Sequence, residues 1–114
     1  MAALIPLQTQ EQFEAMFSPS PDQPRLGTPV LIWFSASWCG PCRRVNADAI
    51  AKAFPNLPFY KCDVDENNYT PGFCNVRSIP SFCIVMPTPR TMIGPFQNSD
   101  TQKIIEWIQS VLHK

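Results

Sequence analysis

The 114-residue sequence predicts an α/β fold, with a mixed sheet of about five strands covered on both faces by four helices. Three observations point there. Segments of strand and helix character alternate along the chain, as they do when strands are joined through helices. Val30–Ala36 is a continuous apolar stretch, the pattern of a strand covered on both faces. The last two strand segments follow one another without a helix, which adds a hairpin and makes the sheet mixed.

The elements follow in order. Ala3–Leu7 is a short strand candidate. Thr9–Phe17 reads as a helix, with Thr9 and Gln12 spaced as a capping box and Phe13, Met16 and Phe17 on one face. Val30–Ala36 is the central strand. Pro41–Phe54 is expected to be one helix, with Val45, Ala49 and Ala53 four apart. Phe59–Val64 is a strand and Tyr69–Cys74 a short helix. Ser81–Met86 and Thr91–Gly94 are strands joined by a proline-bearing turn. Ser99–Leu112 closes the chain as a helix, with Ser99 and Gln102 as a second capping box. Its buried stripe is Ile104, Ile105, Ile108, Val111 and Leu112.

Composition bounds the function. The length suits one domain, residues 1–114. Nine basic and nine acidic side chains cancel, so no basic stripe favours nucleic acid. The longest apolar run, Val30–Phe34, is far short of a membrane span of roughly 20 residues. Met1–Leu7 has no basic segment before it and turns polar at Gln8, so a cytoplasmic protein is expected. Thirteen prolines, Pro87 and Pro95 among them, read as connections that punctuate the segments. Ser18–Pro29 is the longest such loop. Five cysteines, an odd number, exclude a full disulfide framework.

The chemistry concentrates at Trp38-Cys39-Gly40-Pro41-Cys42, between the buried strand and the next helix. Two cysteines at this spacing can close a disulfide across one turn. At a helix start, free N–H groups and the helix dipole favour an anion, so the Cys39 thiol is expected to ionise readily. Cys42, one turn further in, is expected to be the more buried. Cys39 would attack a substrate disulfide, and Cys42 would resolve the mixed disulfide. Pro41 suits the first helical position. A lone C-x-x-C also fits half of a zinc site or a pair of core cysteines. Zinc needs two further ligands, and Cys62, Cys74, Cys83 and the single His113 show no second such pair.

Phe34–Cys42 resembles the active-site segment of the thioredoxin family, and Ile79-Pro80-Ser81-Phe82 resembles its second signature. Ile93-Gly94 is similar to its third substrate-contact loop. The resemblance runs from Leu4 to Leu112. It implies a thioredoxin fold in three layers, α/β/α. It also implies a cis Pro80 facing the dithiol, which lets the Ile79 backbone pair with substrate and keeps metal ions from the cysteines. Without the resemblance Pro80 would read as an ordinary trans proline. Trp38 would cover the dithiol and contact partners, or be a core aromatic, or both. Gly94 would admit a substrate backbone, or serve as a turn glycine. Gly40 and Pro41 complete the set of substrate-contact residues.

The resemblance further implies a protein-disulfide reductase with no bound cofactor and no metal. Its redox carrier is the Cys39–Cys42 pair, and its electrons come from NADPH through a thioredoxin reductase. Its partners would be that reductase and disulfide-containing proteins, met by apolar contact around Trp38, Ile79 and Gly94, with no nucleic acid or membrane. A monomer is expected.

Some positions depart from the family pattern. The family commonly places a buried aspartate where this chain has Trp33. Lys61 falls where the family often pairs a lysine with that aspartate, as a modulator of its pKa; here it is left without that partner, as an exposed strand lysine. The resolving step is therefore expected to have a different pH profile. Trp33 also favours an alternative, an interaction module or accessory subunit with low turnover. An oxidase or isomerase of an oxidising compartment is a third reading, disfavoured by the missing signal peptide. Ala47 stands where the family usually has a kinking proline, so a straighter helix is expected. Cys62 and Cys83 read as buried small hydrophobes. Cys74 is expected to be exposed, a regulatory thiol able to link two copies. Asp63–Asn67 reads as a solvated loop, lacking the Gly and Glu of a calcium site.

Overall fold

The computed structural model describes residues 4–17, 28–87 and 90–113. The Ser18–Pro29 loop, up to residue 27, and the turn at 88–89 lie outside them. The elements run β1 (Ile5–Pro6), α1 (Gln10–Phe17), β2 (Val30–Ser35), a 3-10 turn (Pro41–Arg44), α2 (Ala47–Ala53), β3 (Phe59–Asp63), α3 (Tyr69–Phe73), β4 (Ser81–Pro87), β5 (Arg90–Gln97) and α4 (Thr101–Leu112). The sheet order is β1-β3-β2-β4-β5. β3 runs parallel to both β1 and β2, while β4 is antiparallel to β2 and to β5. The mixed five-stranded sheet and its four helices are as the sequence predicts.

Strand periodicity builds the layers. In β2, Leu31 and Trp33 face one core, and Val30, Ile32 and Phe34 face the other. β4 repeats this, with Phe82 and Ile84 on the first face and Cys83 and Val85 on the second. Ile50 of α2 and Ile104, Ile108 and Val111 of α4 cover the first face. Phe13 and Met16 of α1, with Cys74 at the end of α3, cover the second. Every residue of β2 is buried, which explains its unbroken apolar pattern.

The Thr9/Gln12 capping box forms. The Gln12 N–H donates to Thr9 Oγ1 at 3.1 Å, and the Thr9 N–H donates to Gln12 Oε1 at 3.0 Å. The second box does not. Asp100, one residue on from Ser99, caps α4 by accepting from the N–H groups of Gln102 and Lys103. Both residue types cap well, and the carboxylate carries the added attraction of a helix N-terminus.

Pro41–Phe54 is not one straight helix. The chain leaves the 3-10 turn at Val45, which is extended at φ −72°, ψ 122°. It restarts at Asn46, whose side chain accepts the Ala49 N–H at 3.1 Å while its own N–H is taken by Thr101 Oγ1 at 2.9 Å. No proline is needed for this break, because an N-cap residue and a partner on α4 supply it. The buried face of α2 is consequently Ile50, flanked by Ala47 and Ala51, and Ala53 is exposed. Pro87 and Pro95 lie within β4 and β5 and not in connections. Pro95 follows a cis peptide bond. Its strand is at the sheet edge, and the proline falls where the β4–β5 register shifts between the Ile84–Ile93 and Phe82–Phe96 pairs, a position that tolerates proline.

Candidate active site

β2 ends at Ser35, and Ala36–Gly40 carries the chain from the C-terminal end of this central strand into the 3-10 turn. Gly40 caps that turn and Pro41 opens it. Cys39 and Cys42 are disulfide-bonded, with their Cα atoms 5.3 Å apart. The Cys42 N–H donates to Cys39 Sγ at 3.2 Å. The turn has only four residues, so this local N–H, and not the dipole of a long helix, is the donor beside the Cys39 sulfur.

Both sulfur residues are 3% exposed, so Cys42 is not the more buried of the pair. The disulfide sets the Cys39 sulfur against Cys42 and under the Ile79 carbonyl, 3.9 Å away. That contact brings the second signature to the dithiol. The Ile79–Pro80 bond is cis, as the resemblance implies. Ile79 is half-buried and Pro80 buried.

Trp38 is 65% exposed beside the disulfide. Its Nε1 donates to Asp65 Oδ2 at 2.8 Å. It is therefore a held surface aromatic and not a core residue. Asp65 escapes a sequence reading because 27 positions separate the two. The only signal is an acidic loop directly after a strand that neighbours β2. That loop is not wholly solvated. Asn67 is buried, donating to Leu7 O at 3.3 Å and Thr70 Oγ1 at 2.8 Å.

Trp33 lies in the same core cluster as Cys39 and Cys42. It stacks on Phe82, with centroids 6.2 Å apart and planes 6° from parallel. Its Nε1 is buried without a hydrogen-bond partner. Lys61 is exposed, yet its Nζ is 4.9 Å from the Trp33 centroid, so its head group has a partner after all. Lys61 acts on the ring of Trp33 and not directly on the dithiol.

Gly94 sits on β5 with φ +116°, and a Cβ there would come 2.7 Å from Phe82 O. Close packing of β5 on β4 requires glycine at this position, apart from any substrate. Cys74 is 1% exposed and lies on the opposite face of the sheet, so the expected exposed thiol is not found. It caps α3 and packs inwards, away from the surface. Among the described residues, no three His, Cys, Asp or Glu side chains are grouped to hold a metal ion. No described helix is long and apolar enough to cross a membrane.

A reducible C-x-x-C disulfide at the end of a central strand, faced by a cis-proline turn, defines a thiol–disulfide oxidoreductase. The family model described as Thioredoxin matches residues 7–110. The chain belongs to the thioredoxin family. A thioredoxin of Geodia cydonium is 47% identical over 55 residues, 46% of this chain and 52% of that protein. An H-type thioredoxin of Fagopyrum esculentum is 35% identical over 86 residues, 74% of this chain and 72% of that one. The matched region thus spans about half of the first relative's length and about three quarters of the second's. Among solved structures, a thioredoxin from Trypanosoma brucei brucei superposes with a TM-score of 0.82 at 24% identity, covering 99% of this chain and 94% of that one. A thioredoxin from Fasciola hepatica gives 0.77 at 27% identity, covering 94% and 98%.

Proposed function

We propose that the protein is a protein-disulfide reductase working in a reducing compartment, the cytoplasm. The observation that carries this reading is the Cys42 N–H donated to Cys39 Sγ at 3.2 Å, next to the Ile79 carbonyl and the exposed Trp38. A sulfur held by a backbone donor is more readily present as the thiolate, the form that attacks a disulfide.

In the reduced protein the Cys39 thiolate attacks one sulfur of a substrate disulfide. One substrate thiolate leaves and a mixed disulfide forms. Cys42 then attacks Cys39 Sγ, releasing the second substrate thiol and closing the Cys39–Cys42 disulfide. Two electrons have passed to the substrate. A flavin reductase using NADPH, a thioredoxin reductase, returns two electrons and restores the dithiol. The substrate chain lies along Ile79 and against Trp38, beside Pro41 and Gly94, with open space at Gly40. Neutral overall charge suits recognition by shape and apolar contact. Three further cysteines that stay free fit a reducing compartment.

A second reading has its own observation. Trp33, packed in the dithiol's core cluster, cannot exchange a proton in the neutral range. A domain with a slow resolving step would serve as an interaction module with low turnover. Insulin reduction coupled to NADPH and a thioredoxin reductase tests both. Steady turnover lost in Cys39→Ser supports the reductase. No turnover, with both thiols titratable, replaces it with the binding module. A Cys42→Ser variant, which cannot resolve the mixed disulfide, then captures the partners on Cys39.

A further inference from the structure

The chain is neutral overall, but its charges are not spread evenly around the dithiol. Arg43 and Arg44 follow Cys42 directly, and both are exposed. Arg43 Nη2 donates to Ser37 O at 3.0 Å, which ties this guanidinium to the loop leading into Cys39. A guanidinium has several N–H donors, so this bond leaves Arg43 others to offer. Arg43 and Arg44 line one open depression of about 460 Å³ that begins at the 3-10 turn of the disulfide. Arg77 is exposed two residues before Ile79, whose carbonyl lies 3.9 Å from Cys39 Sγ. Among the described residues, no carboxylate pairs with any of these three arginines.

The acidic side chains nearby do not cancel them. Asp65 is committed to Trp38, whose Nε1 it accepts at 2.8 Å. Asp63 and Glu66 line a separate hollow with Lys61. Asp48 does line the arginine depression, but as one carboxylate beside two guanidiniums. Arg44 and Arg77 therefore hold their charge at the dithiol without a fold contact that accounts for it.

We propose that Arg43, Arg44 and Arg77 form a cationic rim that selects disulfide partners carrying Asp or Glu close to the reactive cysteine. This rests on the reductase reading above and adds a charge criterion to its apolar contact. With the partner's sulfur on Cys39, a carboxylate a short way along its chain meets the arginines. Guanidinium and carboxylate match in the planar two-bond arrangement that arginine favours. The rim acts on encounter and on choice among partners, and it leaves the exchange of sulfur bonds as described.

The test uses the full chain with Cys42→Ser, which stops at the mixed disulfide on Cys39. It is offered an equal mixture of two peptides, each with its cysteine capped by the same small thiol. The peptides differ only in Glu or Gln beside that cysteine. Mass spectrometry gives the ratio of adducts, and the same mixture treated with a small free thiol gives the intrinsic ratio. At low salt the protein should favour the Glu peptide by about fivefold over the intrinsic ratio, as expected for one or two exposed charge pairs. The preference should vanish at about 0.5 M salt, where exposed charges are screened. It should also vanish when Arg44→Gln and Arg77→Gln are added, and reverse with Arg44→Glu. The proposal is overturned if the ratio equals the intrinsic one at low salt, or if the preference survives salt or the arginine replacements. Should the replacements fail to fold, the salt dependence of the Cys42→Ser protein alone decides it. Failure of the reductase reading looks different. It shows as no turnover with NADPH and a reductase, while the adduct ratio, which needs only the attack by Cys39, is still read. No adduct with either peptide overturns both.

Discussion

Lys61 Nζ stands 4.9 Å from the centre of the Trp33 ring, and the two residues are register partners across β3 and β2. A cation over an indole face is worth roughly 0.5–1 kcal/mol at an exposed site. The attraction is electrostatic, yet neither member offers the dithiol a proton acceptor. The ring also contributes a buried N–H with no partner, a group whose desolvation costs about 1–3 kcal/mol. This corner of the core is arranged for packing on Phe82 and Phe59 more than for proton relay.

The resolving step should show this directly. Release of substrate from the mixed disulfide on Cys39 is expected to follow thiol ionisation alone. Trp33→Asp should add a second ionisation below it and bend the profile. Stopped-flow release rates across pH for both proteins measure this. Superimposable profiles would remove Trp33 from any account of the rate.

Trp38 and Asp65 give a second prediction. Asp65→Ala frees the indole from its 2.8 Å hydrogen bond. Losing one such bond at an exposed site costs about 1 kcal/mol, which is roughly fivefold in an equilibrium. The KM for a protein disulfide should rise by about that factor, with kcat unchanged. A fall in kcat at constant KM would mean that Asp65 acts on the chemistry and not on docking.

Two glycines should respond with opposite signs. At Gly94, φ +116° and a Cβ 2.7 Å from Phe82 O make alanine strained, so Gly94→Ala should destabilise by more than about 1 kcal/mol. Gly40 has φ −59° and nothing within 4 Å of an added Cβ. Gly40→Ala should stabilise the fold by about 0.4–1 kcal/mol through the unfolded chain. Urea midpoints decide the matter, and equal shifts would contradict it.

Alkaline stability should report on Cys62. Burial and the neighbouring Cys74, Asp63 and Glu66 push its thiol from 9.0 up to about 12. The folded state then keeps a proton that the unfolded chain releases above pH 9. Stability from this group is full below that pH and is lost as pH rises towards 12. Cys62→Val should flatten the drop between pH 9 and 11 relative to the unmodified protein. An unchanged slope would show that the thiol ionises normally.

The sequence made the architecture legible wherever one period governed a whole element. β2 is buried on both faces and reads as an unbroken apolar run; α4 buries one stripe and shows the 3.6-residue spacing. The dithiol and Ile79–Pro80 were legible because short motifs carry them. The break before α2 was not. The Val45, Ala49, Ala53 spacing runs across it unchanged, and the cue is one Asn whose partner is Thr101 on a distant helix. The cap of α4 moved by one residue because Ser99 and Asp100 are both capping types. Pairings between distant segments, such as Trp33 with Lys61 and Trp38 with Asp65, depend on register and leave no local signature. Burial of Cys74 was missed for the same reason: a five-residue helix is too short for its period to reveal an inner face.

The hydrogen bond from Asn46 to Thr101 has a consequence for the order in which the chain is made. The segment that carries the dithiol is fastened at its far end to the first residue of the last helix. A nascent chain emerging from its N-terminus cannot complete that fastening until residue 101 and the turns after it are free. The cysteines are thus synthesised early but positioned late. Until then they are thiols on an unfinished polypeptide, in a segment whose far end is not yet fastened.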